Sequence, residues 1–154
     1  MIRVCIFAVI AVALSGCSNL SGLQEGYNEW STSRTVGHWK GTQRCIEESY
    51  GAIQSVEMKL VKGDMPLTSY GMVLIERRLD QNTLARAWVQ VRAESAVGGK
   101  AIMTGTQVLK TQGPLRWVTT TWPGAFLDDN TMELTACGAP LVLKRQAEGT
   151  PSSI

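Results

Sequence analysis

The stretch from Gly37 to Arg145 is dominated by a period-two hydrophobic pattern, interrupted at near-regular intervals by Gly, Pro, Asn and Asp. In "SVEMKLV", residues 55–61, Val56, Met58 and Leu60 fall on one side and Glu57 and Lys59 on the other, because successive strand side chains point to opposite faces. "ARAWVQVRA", residues 85–93, repeats the arrangement: Ala85, Ala87, Val89, Val91 and Ala93 face one way, Arg86, Trp88, Gln90 and Arg92 the other. No segment has a helical period. The pattern predicts strands over 38–45, 53–62, 70–78, 84–94, 100–110, 115–122, 131–137 and 140–145. Turn-forming runs separate them: "KGDMP", "LDQN", "VGG", "QGP", "WPGAFLDDN" and "CGAP". Eight strands with short connections predict an all-β antiparallel meander. A flat sheet of that width exposes one apolar face and two unpaired edges, so closure into a small barrel or a sandwich is preferred.

The segment "VGHWKGTQRC", residues 36–45, resembles at Gly37, His38 and Trp39 the Gly-x-Trp that opens the first strand of calycin-type barrels, the lipocalin and avidin architecture. The resemblance implies that the sheet closes into a barrel.

Before this region, Met1-Ile2-Arg3 supplies a short positive start, and the eleven residues Val4–Leu14 contain no charged side chain. That is the layout of a helical signal peptide. As a helix the apolar run reaches about 16 Å, against a hydrocarbon core of roughly 30 Å, which disfavours a permanent span. Leu14-Ser15-Gly16-Cys17 resembles the lipobox of bacterial lipoproteins. The resemblance implies cleavage between Gly16 and Cys17, acylation of Cys17 with diacylglycerol and an N-terminal fatty acid such as palmitate, and attachment to a bilayer. Ser18, where inner-membrane retention calls for Asp, implies the outer membrane, with the domain facing the periplasm. Each buried methylene contributes about 0.8 kcal/mol, so several acyl chains make a stable anchor.

Without residues 1–16, whose only charge is Arg3, the 15 basic side chains become 14 against 13 acidic ones. No basic stripe stands out, which argues against a nucleic-acid partner. Cys5 leaves with the leader and Cys17 carries lipid. Cys45 and Cys137 remain as an even pair in an oxidising compartment, expected to form one disulfide. Residues 17–36 then read as the lipidated cysteine and a flexible tether, with a short helical turn over 23–30 as an alternative; 37–145 as the β domain; and 146–154 as a disordered tail.

Catalytic equipment is sparse. His38 is the only histidine, and no nucleophile motif accompanies it. Neither a metal site nor a cofactor is expected. Asp128-Asp129-Asn130 suits a turn better than a calcium loop, and Glu47-Glu48 are adjacent on a strand and poorly placed as an acid/base couple. The aromatic residues say more. Trp88 with Arg86 and Arg92, and Trp122 with Phe126 in "WPGAF" read as a loop or lid, are the candidate contacts for a ligand or partner. The expectation is a non-catalytic binding or envelope-interaction module for an envelope protein, a glycan or a small amphiphile. One alternative is inhibition of an envelope-directed hydrolase such as lysozyme, because Ser95, Gly98, Gly99 and Lys100 are similar to the Ser/Gly loop of membrane-bound lysozyme inhibitors. An enzyme with dispersed catalytic residues is the other.

Overall fold

A computed structural model of the chain describes residues 22–46 and 52–154. The leader with Gly16, the lipobox Cys17, the first part of the tether, and Glu47-Glu48 with Tyr50 lie outside the described residues.

Eight antiparallel strands run in chain order: β1 (Gly37–Arg44), β2 (Ile53–Lys62), β3 (Thr68–Arg78), β4 (Leu84–Ala96), β5 (Lys100–Gln112), β6 (Thr121–Asp128), β7 (Thr131–Ala136) and β8 (Ala139–Arg145). Each pairs with its neighbour, and β1 pairs with β8 at Trp39↔Arg145 and Lys40↔Lys144, closing the meander into a barrel. Closure leaves no free sheet edge around most of the circumference. The disulfide Cys45–Cys137 is present, with its Cα atoms 5.0 Å apart. It ties the end of β1 to the β7–β8 hairpin. That hairpin turns on Cys137 and Gly138, both at positive φ, the conformation that suits a two-residue connection between twisted strands.

Two expectations need correction. "WPGAF" is neither loop nor lid: Thr121–Asp128 form β6, and the segment expected as a strand over 115–122 is an extended connection up to Thr120. The reason is alternation. Trp122, Gly124 and Phe126 point inward as a period-two set, and Pro123 occupies a place where β6 is paired to β5 but β7 has not yet begun to pair. Gly124 has no room for a side chain, since a Cβ there would lie 2.0 Å from the Glu133 carbonyl oxygen. The second correction concerns the flanks. Residues 22–35 form a helix, α1, rather than a flexible tether, and the segment after Arg145 lies against the barrel wall rather than fraying.

The interior is packed solid. Trp39, Met58, Met103, Met132, Leu141 and Leu143 are fully buried, and the inward row of β4, Ala85, Ala87, Val89, Val91 and Ala93, is small where those side chains are large. Large and small residues thereby interdigitate at the density of a protein interior. The void left between Val56, Met58, Ile75, Trp122 and Leu134 is about 10 Å³, room for about one water.

The two barrel ends differ. α1 covers the end at which β1 begins. Its buried Ser31, Thr32 and Thr35 satisfy polar groups of the rim: the Ser95 hydroxyl donates to the Ser31 carbonyl at 2.9 Å, the Leu67 amide to the Thr32 hydroxyl at 3.1 Å, and Thr35 shares a hydrogen bond with Ser69. The Arg145 guanidinium donates to the Arg34 and Val36 carbonyls, supplying partners for the last carbonyls of α1, and lies over the Trp39 ring at 4.3 Å. The opposite end, where the disulfide sits, has no such cover among the described residues.

Candidate functional site

At this open end the innermost residues change from apolar to polar. Cross-strand register places Gln43 (β1), Gln54 (β2) and Arg77 (β3) side by side on the inward face, with Ala85 next on β4. Arg77 Nε donates to Gln54 Oε1 at 2.7 Å, and Gln43 Nε2 donates to the Ala136 carbonyl at 2.7 Å. The connection 113–120 leans over this layer. Gly113 starts it at φ 88°, where a Cβ would sit 2.5 Å from the Leu84 carbonyl oxygen. Trp117 then reaches back over the rim, with the Arg77 guanidinium 5.2 Å from its ring centroid.

The result is a mouth of about 410 Å³ lined by Gln54, Arg77, Arg116, Trp117, Trp122 and the Cys137-Gly138 turn. Arg116 stands exposed in this lining. Two buried polar atoms at this end have no hydrogen-bond partner among the described residues: the donor Trp117 Nε1 and the acceptor Gln43 Oε1. Buried polar groups are almost always paired, so these two atoms mark an end whose hydrogen bonding is incomplete within the described residues.

The candidates taken from the sequence do not converge. Trp122 lines the mouth, but Phe126, four residues further along β6, points into the helix end, 6.2 Å from Trp39 and under the Arg34 guanidinium. Arg86, Trp88 and Arg92 lie on the outer wall, because the Ala/Val face of β4 is the inner one. There Arg86 pairs with Glu76, Arg92 with Glu94, and Lys110 Nζ stands 5.0 Å from the Trp88 ring. Ser95 is buried beneath α1, so of the Ser/Gly loop only Gly98 and Lys100 are exposed. Asp128 caps its own turn by accepting the Asn130 amide at 2.7 Å, and that bond lowers its pKa.

Two other concave regions are built differently. A groove of about 640 Å³ runs between α1 and residues 145–150. Lys59, Lys62 and Arg145 face Glu29 and Glu148 across it, and His38 lines it in place of any Trp, Tyr or Phe. On the outer wall of β1 and β2, Glu57 is buried under the tail. Its Oε1 lies 2.8 Å from His38 Nε2 and accepts the Ser152 hydroxyl at 2.7 Å and the Ser153 amide at 3.1 Å. Both His38 and Ser152 are turned to the carboxylate between them. That is the geometry of a latch for the tail.

The residues missed by sequence reasoning are Gln54, Arg77, Arg116 and Trp117. Arg77 lay in "IERRLD", where the register of β3 alone decides which arginine points inward. Comparison with protein-family models, curated proteins and solved structures finds no match to the chain.

Proposed function

We propose that this chain is an outer-membrane lipoprotein, acylated on Cys17, whose barrel is a non-catalytic binding module working at its open mouth. The observation that carries the reading is the combination of a filled interior with a concave mouth lined by Trp117, Trp122 and the exposed Arg116. The interior void of about 10 Å³ has room for about one water, which favours recognition at the rim. The exposed Arg116 guanidinium favours an oxyanion, while the faces of Trp117 and Trp122 favour a flat apolar or sugar-ring body attached to it. The ligand class is a carboxylate carried on a ring, as in an aromatic acid or an acidic glycan.

Calorimetric titration of the purified protein with benzoate and with glucuronate tests this. Saturable one-site binding that weakens as salt is raised supports it. No saturable heat with either probe, or binding indifferent to Arg116→Ala, refutes it.

A further inference from the structure

We propose that the helix end of the barrel rests on the bilayer, placing its apolar loop tips at the headgroup boundary and turning the mouth into the aqueous space. The inference rests on the lipid-anchor reading of Cys17.

Six exposed large apolar side chains stand at this end, and Ile46, Ile53, Leu109 and Val118 stand toward the other. Leu23 and Trp30 on α1, Val61 at the end of β2, Met65 in the β2–β3 connection, Val97 in the β4–β5 turn and Leu127 at the end of β6 are 50–78 % exposed. They belong to one surface because α1 binds those connections together, through Ser31 to Ser95, Thr32 to Leu67, and Arg34 Nε to Asp129 Oδ1 at 3.3 Å. Tyr27 and Trp30 add a ring pair with centroids 6.0 Å apart, the residue types that settle at a membrane interface.

The length of chain outside the described residues selects the occupant. Cys17 precedes residue 22 by five positions, a reach of at most about 18 Å. The mouth stands at the far end of β2, whose ten residues span roughly 30 Å. An anchor at Cys17 therefore holds the helix end, and not the mouth, against the membrane. Charges of both signs ring this end, Lys62 and Lys100 beside Glu29, Asp64 and Asp129, so the contact is apolar and interfacial rather than a polybasic attraction.

The test uses the lipidated full chain in vesicles of phosphatidylethanolamine and phosphatidylglycerol. Nitroxide labels are attached through Met65→Cys, Val97→Cys and Leu127→Cys, with Val118→Cys as the open-end control. The expected result is collision with dissolved oxygen rather than with a water-soluble nickel chelate for the three helix-end labels, the reverse at position 118, and no change with salt. Helix-end labels as open to the nickel chelate as position 118 overturn the proposal. Dipolar broadening between Val97→Cys labels, which would mean a second copy covering this face, does so too. Intact mass of the same sample separates the two ideas. A diacylglyceryl adduct with aqueous labels overturns the seat and leaves the anchor standing, whereas absence of the adduct overturns the anchor and the seat that depends on it.

Discussion

Glu57→Gln keeps the shape of the side chain and removes the charge on which the tail is latched. Burial raises the Glu57 carboxyl pKa. Hydrogen bonds from Ser152, His38 and the Ser153 amide, with the charge of Lys40 at 3.5 Å, outweigh that effect and bring it from 4.5 to about 2. At about 1.4 kcal/mol per tenfold change in the proton equilibrium, this difference corresponds to roughly 3 kcal/mol in favour of the folded, ionised form. Because the folded pKa is the lower one, the contribution is complete above the unfolded value near 4.5, declines as pH falls, and is gone below about 2. Gln retains one acceptor, so the variant is expected to lose about 2 kcal/mol at pH 7. Urea denaturation at pH 7 and at pH 2 reads this directly: a lower midpoint for the variant at neutral pH, converging with the parent in acid. Ser152→Ala, which deletes one donor, is expected to cost about 1 kcal/mol over the same pH window. Equal stability of Glu57→Gln and the parent at pH 7, or a deficit of unchanged size at pH 2, would refute the latch.

Trp117→Ala removes the ring that lines the mouth. It is expected to weaken benzoate and glucuronate binding about 10-fold, measured by calorimetry on the folded variant. Removing the Cys45–Cys137 link with the double Ala variant opens a 92-residue loop and is expected to cost about 4.6 kcal/mol by chemical denaturation, the chain-entropy figure for a closure of this length. Gly124→Ala drives a methyl group against the Glu133 carbonyl and the Leu134 side chain inside the β6–β7 pair; a loss of about 3 kcal/mol or more is expected in a thermal melt.

The barrel was legible because one face of each strand is nearly pure in character. The alternation of Val56, Met58 and Leu60, and of Ala85 through Ala93, marks two-faced strands, although the sequence left open which face of residues 85–93 turns inward, and eight such strands with short turns close on themselves for want of anything else to cover their edges. The cysteine pair followed from compartment and parity. β6 was misread because a Pro and a Gly inside "TWPGAFLD" are turn signals by composition, whereas in place the Gly makes room for the neighbouring strand and the Pro sits where pairing is one-sided. α1 was legible only as a short turn over 23–30, set beside a tether, because the residues it buries, Ser31, Thr32 and Thr35, are polar; they serve rim hydrogen bonds and leave no apolar stripe to read. The mouth was hidden for a related reason. Gln43, Gln54, Arg77 and Trp117 are far apart in sequence, and only strand register and the return of residues 113–120 bring them to one rim. Trp88, Arg86 and Arg92, close in sequence, are instead occupied on the outer wall with Lys110, Glu76 and Glu94.

The central claim, that the open mouth is where this protein binds, is met most directly by following the indole N–H signals in a ¹H–¹⁵N spectrum during titration with glucuronate and benzoate. The account predicts that the Trp117 cross-peak moves and saturates, because the ligand packs on its ring at the mouth, while those of Trp30 on α1 and Trp88 on the outer wall stay in place. A Trp117 peak that stays still while backbone shifts gather in the groove beside α1 or along the outer wall of β4 would contradict it.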